Sequence, residues 1–248
     1  MENHTWEYTF DKPVKYKTLV LHPIKMKNYF HFMQVAPILL IDKNSIPEVK
    51  IISMSYLEYL CHIHKESESI GNILIHLLRL VLDFDKEEDV EKISLFPVMH
   101  KFMVDGKMFD AQDFDNIRTI IIEQNGLTPP DETIQKELRD AMEDAAAFRR
   151  KLSGNKTAGI EDQMVALSTQ TGFTLEYIYE MTIRKFIKAI ERVDHAMHYK
   201  MYMAASLSGF VTFKSKSAIK HWLADLSKNK LDGLIAEEEL ESRLTGAI

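Results

Sequence analysis

The stretch IRKFIKAIERVDHAMHYKMYMAASLS, residues 183–208, decides how this chain is read. It begins after Thr182 and runs into Gly209. One side carries Ile183, Ile187, Ile190, Asp194, Met197, Met201, Ala204 and Ser208. The steps between them alternate four and three, which places all of them on one face of an α-helix and makes a heptad-like seam. A single acid, Asp194, interrupts nearly four repeats, and Phe186 and Val193 widen the stripe. A stripe of that width suits a helical bundle better than an isolated coiled coil. Ile183, Ile187, Met197 and Met201 are therefore the candidate contact residues, equally suited to a core. The same face could pair two copies of the chain.

Outward from this helix, Thr174 is placed to cap a short helix from Leu175 to Tyr179. An earlier helix spans Ile160 to about Gln170 and ends near Gly172. On the C-terminal side, Phe210 to Phe213 reads as extended. Ser215 or Ser217 would then cap a helix to about Leu226, with Ile219, Trp222, Leu223 and Leu226 inward. Glu237, Glu238, Glu239 and Glu241 mark a solvated tail.

Asp105-Gly106 between Phe102-Met103-Val104 and Lys107-Met108-Phe109 is a two-residue hairpin signal, because both central positions need positive φ. Asp110 to Phe114 starts a helix that ends at Asn125-Gly126, with Ile117, Ile120 and Ile121 on its inner face. Pro129-Pro130 then bars helix before Asp131. A charged helix with a narrow apolar stripe follows, Asp131 to Leu152, and a small-residue linker, residues 153–159. The domain boundary is set there: an N-terminal α+β domain, 1–128, and a C-terminal helical domain, 129–248.

In the N-terminal part, Trp6, Tyr8 and Phe10 alternate with polar neighbours, a period-2 strand pattern. A second extended run, Val14 to Leu21, is expected to pair with it as a small antiparallel unit. Helices are expected from Met26 to about Met33, where Pro37 interferes, from Lys50 to His64, and from Ile70 to Leu82. Within the second, Ser55 and Glu58 offer an alternative start as a capping box. The third is apolar nearly all round and belongs in the interior. The fold class is mainly α (α+β): a helical bundle with a small N-terminal β unit and a hairpin at 102–109.

The chain has 248 residues, net charge −6 and 46% apolar residues, enough to build a sizeable core without staples. The acidic balance disfavours a broad nucleic-acid surface. A local basic cluster, Lys214, Lys216, Lys220, His221, Lys228 and Lys230 around Trp222, reads better as a solvated helix edge. The one cysteine, Cys61, permits no intrachain disulfide and reads as a buried hydrophobe, with His62 and His64 at spacings that define no catalytic dyad. No segment reaches the roughly 20 apolar residues of a membrane span, and residues 1–4 lack the pattern of a secretory signal.

Glu191, Asp194, His195 and His198 share one helical sector, yet they do not form the Glu-x-x-His pairs of a di-metal bundle. They read as acid–histidine pairing on a polar face. The acidic run Asp83 to Glu91 reads as a loop. No Gly-rich phosphate loop and no Gly-x-Ser-x-Gly elbow occurs. No cofactor, no metal and no catalysis are expected.

The segment Thr174-Leu175-Glu176-Tyr177-Ile178-Tyr179-Glu180-Met181-Thr182-Ile183-Arg184-Lys185-Phe186, continued by Ala189-Ile190-Glu191-Arg192, resembles tail-assembly proteins of long-tailed bacteriophages. Those include tail assembly chaperones and baseplate-hub assembly factors. The order of extended segment, Pro23 and helix is similar to the opening of some of them. The resemblance implies a tail or baseplate assembly protein that works by protein–protein contact, in the host cytoplasm during assembly or in the virion tail. Its implied partners are other phage tail or baseplate proteins. A host-modulating interaction protein, or an enzyme whose site forms only on folding, are the competing expectations. The thirteen methionines fit surfaces that re-pack against partners.

Overall fold

The computed structural model describes residues 4–43, 48–64, 69–84, 92–130, 158–208 and 219–226, with 141 and 144. The chain divides into two compact units, Met1–Glu191 and Arg192–Ile248. This division falls between Glu191 and Arg192, whereas the sequence reading drew its boundary between 128 and 129. The charged helix expected at Asp131–Leu152, apart from positions 141 and 144, the tail and most of the 153–159 linker lie outside the described residues.

The N-terminal residues differ from the expected strand. Residues Thr5–Thr9 form a short helix, α1. Helical spacing turns Tyr8 inward and sets Trp6 beside Phe10, with ring centroids 5.3 Å apart. Asp11 takes a positive φ of 53° and ends the helix, and Lys12 N–H donates to the Glu7 carbonyl at 2.8 Å. A strand here would have lacked a partner, because the next run closes on itself. Strands β1 (Val14–Tyr16) and β2 (Leu19–Leu21) pair with Val14 opposite Leu21, through a turn in which Lys17 has φ 51°. Val14, Leu19 and Leu21 are buried, and Val20 faces out.

A 3-10 turn, Met26–Asn28, leads into α2 (Tyr29–Val35), and Pro37 enters a second 3-10 turn, Ala36–Leu40. The expected Lys50–His64 helix is two helices, α3 (Val49–Ser53) and α4 (Tyr56–His64). They break at Ser55 because the capping box forms there: Glu58 Oε2 accepts from Ser55 N–H at 2.7 Å, and Ser55 Oγ accepts from Glu58 N–H at 3.2 Å. Helix α5 (Ser69–Val81) buries one face, Gly71, Leu74, Leu77, Leu78 and Val81, and leaves Asn72 and His76 exposed, so it lies against the core rather than wholly inside it. Cys61 is fully buried.

The Asp105-Gly106 hairpin joins β4 (Lys101–Val104) to β5 (Lys107–Phe109), with both turn residues at positive φ. A strand the sequence reading lacked, β3 (Ile93–Phe96), pairs with β4 and completes a three-stranded antiparallel sheet. Phe102 stacks on Phe109 at 5.2 Å and meets the edge of Phe114 at 6.1 Å. Each such ring contributes roughly 2–3 kcal/mol by leaving water.

Phe114 lies in the first turn of the central helix α6 (Ala111–Asn125), whose residues Ile117, Ile120 and Ile121 point inward. Its start is a capping box of Asp110 and Asp113, and its end is Gly126 at φ 68°. Burial alone would raise the Asp113 carboxyl. Hydrogen bonds from Lys17 and from the Tyr16 hydroxyl, the latter at 2.8 Å, outweigh it and hold the group below the usual carboxylate range.

Helices α7 (Ile160–Thr171), α8 (Leu175–Glu180) and α9 (Ile183–Leu207) follow, each close to its expected limits. Gly172 closes α7 at φ 75°, and Thr174 Oγ1 accepts from Tyr177 N–H at the start of α8. With two small sheets among these helices, the fold is mainly α with small β units. Residues 219–226 correct the expected last helix: they form turns and bends, and Trp222 and Leu223 are exposed rather than inward. Their carbonyls bond to side chains of α9 instead of to a helix of their own.

Candidate protein interface and the cleft at its root

The root of α9 is tied to the N-terminal segment by backbone bonds. Met26 N–H donates to the Met181 carbonyl at 2.8 Å, and Ile183 N–H donates to the Ile24 carbonyl at 2.9 Å. Between them, Lys25 and Thr182 form an antiparallel bridge. Asn125, wholly buried at the end of α6, holds Ile24 in place: its Oδ1 accepts from Ile24 N–H at 2.8 Å, and its Nδ2 donates to the Ile121 carbonyl at 2.9 Å. Thr182 caps α9 by accepting from Lys185 N–H at 3.3 Å, and its hydroxyl donates to Asp11 at 2.8 Å. Arg184 reaches the Tyr8 carbonyl, and Gly126 packs against the Arg184 side chain.

A cleft of about 380 Å³ opens beside this junction, lined among others by Asp11, Lys25, Lys27, Tyr177, Glu180 and Lys185. Its charges answer one another. Lys25 and Lys27 reach Glu180 at 2.7 and 3.4 Å, and Lys185 reaches Asp11 at 2.8 Å. The hydrogen bond from Lys25 holds the exposed Glu180 carboxyl below its usual range. The Asp11 hydrogen bond raises Lys185. Chemically this is an ion-paired clamp, in which three lysines and two carboxylates join the N-terminal segment to α8 and α9. Sequence reasoning missed the cleft, because its partners lie more than 150 positions apart and no local spacing reports them.

The four residues singled out in α9 part company. Ile183 is fully buried against the N-terminal segment and belongs to the core with Phe186. Ile187, Met197 and Met201 are 37%, 44% and 58% exposed. No other residue of the 25-residue helix is buried. At about 100° per residue, Arg192, His195 and Tyr199 point away from the seam. That opposite side is where residues 219–226 lie. Arg192 donates to the carbonyls of Trp222 and Ala224 at 3.0 and 2.9 Å, His195 Nε2 lies 2.8 Å from the His221 carbonyl, and Tyr199 meets the His221 ring. Among the described residues, 219–226 thus lie against the polar side of α9, while Ile187, Met197 and Met201 on the apolar side are exposed. Asp194 pairs with His198 at 3.3 Å across one turn, as the acid–histidine spacing suggested.

A second group of exposed apolar side chains lies on α7, α8 and the loop between them: Val165, Phe173, Leu175, Tyr177 and Tyr179, with the Phe173 and Tyr177 rings 4.9 Å apart. Among the described residues, no group of three or more His, Cys, Asp or Glu side chains could hold a metal ion. No helix among them is long and apolar enough to cross a membrane. The basic cluster around Trp222 lies largely outside the described residues.

None of the curated proteins and none of the solved structures matches this chain. Residues 153–227, which carry α7, α8, α9 and the 219–226 segment, match the family model of the YomV second domain, a phage-derived protein family, and the match suggests a phage origin.

Proposed function

We infer that the chain is a bacteriophage tail or baseplate assembly protein that acts through protein–protein contacts and performs no catalysis. The observation that carries this reading is the open apolar side of α9. Three apolar side chains at heptad spacing, Ile187, Met197 and Met201, are exposed along this 25-residue helix, inside the segment that matches a phage-derived family. Exposed apolar surface of this kind is costly in water unless a partner covers it. Methionine suits such a face because its flexible, polarisable side chain adapts to more than one partner surface. The exposed aromatics of α8 and the loop before it add rigid anchors of the type that dominate interface energetics. The ion-paired clamp at the root of α9 fits a mechanical role, since it anchors the first turn of the helix.

The test is co-production of the chain with the tail and baseplate proteins of the genome that encodes it, followed by affinity purification and mass determination. A stable complex with one of them, weakened by Met201→Glu, supports the reading. Recovery of the chain alone from every such pairing refutes it.

A further inference from the structure

We propose that the open side of α9 pairs with the same side of a second copy of this chain, in antiparallel orientation, with Ile190 of each copy against Met201 of the other. The proposal rests on the reading of α9 as a contact surface, and it names the occupant. The alternating spacing of four and three repeats with the pitch of another helix of the same kind, so the best complement to this seam is a helix with the same repeat.

Charge chooses the orientation. In a parallel pair, Asp194 of one copy would stand opposite Asp194 of the other at a core position, two like charges facing across the seam. The flanking positions would set Val193 against His198 and Phe186 against Glu191, with no charge compensation. In the antiparallel pair centred between Asp194 and Met197, Asp194 faces Met197, Ile190 faces Met201 and Ile187 faces Ala204. The flanking positions then bring Glu191 of each copy to His198 of the other, twice by symmetry. Shifting the antiparallel register by one heptad toward the C-terminus would set Lys200 against Lys200 and His198 against His198, so charge also selects the register. Among the described residues, 219–226 lie on the other side of α9, and Ile187, Met197 and Met201 of the seam are exposed.

The experiment uses the full chain. Light scattering over two decades of concentration reads the mass, and cysteine cross-linking reads the orientation. Ile190→Cys and Met201→Cys are made as separate proteins, with wild type as control for the buried Cys61. In the antiparallel pair the two 190 positions are about 16 Å apart along the axis, beyond disulfide reach, whereas 190 and 201 of opposite copies touch. The expected result is a dimer, with cross-linking when the two variants are mixed and little when either is alone. Glu191→Lys should raise the dimer dissociation constant roughly fivefold or more, and adding His198→Glu should restore it, as an exchanged exposed pair would.

A chain that stays monomeric throughout overturns the proposal. So does strong cross-linking of either single variant alone, which would show parallel pairing. A monomer that still binds an identified tail protein would sink this proposal and leave the assembly reading intact. A dimer that binds none would do the reverse.

Discussion

Replacing Asn125 by alanine should cost the Met1–Glu191 unit about 1.5–4.5 kcal/mol. The side chain is wholly buried and satisfies two backbone groups: the Ile24 N–H at 2.8 Å and the Ile121 carbonyl at 2.9 Å. The carbonyl belongs to α6 and retains its helical acceptor role, so its loss is that of one ordinary hydrogen bond, about 0.5–1.5 kcal/mol. The Ile24 N–H lies at a point where the neighbouring backbone bonds run to Met181 and Ile183. Orphaned there, it costs about 1–3 kcal/mol in desolvation. The sum is a large fraction of the roughly 5–15 kcal/mol that keeps a domain folded. Urea denaturation followed by circular dichroism is the assay, with Gln163→Ala as control, since Gln163 makes one exposed bond to the Ala158 carbonyl. The midpoint should fall for Asn125→Ala with the slope unchanged, and hardly move for the control. A loss below about 1 kcal/mol for Asn125→Ala would refute the claim that this side chain holds the junction beneath α9.

Gly126→Ala should destabilise by more than Gly106→Ala, by about 1 kcal/mol. Both sit at positive φ, but only at Gly126 does an added Cβ meet Arg184 Cγ, at 3.2 Å; denaturation midpoints of the two variants decide it. Glu180→Gln should leave the denaturation midpoint nearly unchanged, because its two lysine pairs are solvent-exposed and salt-screened. Its midpoint in low and high salt is the check. Burial, with the nearby His31 and Arg79, holds the His76 pKa below 6.5. The folded state therefore binds fewer protons there than the unfolded chain. Stability is fully present above pH 6.5 and falls as pH drops toward the folded-state value, and His76→Gln should flatten that part of the pH–stability curve.

Much of this fold was legible where the signal is local. The Asp105-Gly106 turn, Thr174 as a cap, Gly172 and Gly126 as stops, and the inward isoleucines of α6 each follow from backbone chemistry within a few residues. The signals failed where two local structures compete or where tertiary bonds decide. Trp6, Tyr8 and Phe10 alternate as a strand would, yet the neighbouring hairpin left them no strand to pair with, and a short capped helix satisfied the backbone instead. Residues 219–226 have helical spacing, but Arg192 and His195 take their carbonyls. Ile183 and Met201 are equivalent in the seam pattern, and only the bond from Ile183 N–H to Ile24 shows that one is core while the other is exposed. The ion-paired clamp was invisible for the same reason: Asp11 and Lys185 meet only because the chain returns.

The account turns on whether the open side of α9 is a working contact surface. Hydrogen exchange of the backbone amides of residues 187–204 measures this most directly, on the chain alone at low concentration and after assembly with a second copy or with any phage protein that co-purifies with it. The account predicts slower exchange on assembly across this stretch, lost in the doubly substituted Met197→Glu, Met201→Glu protein. Unchanged exchange along α9 in a complex that demonstrably forms would contradict it.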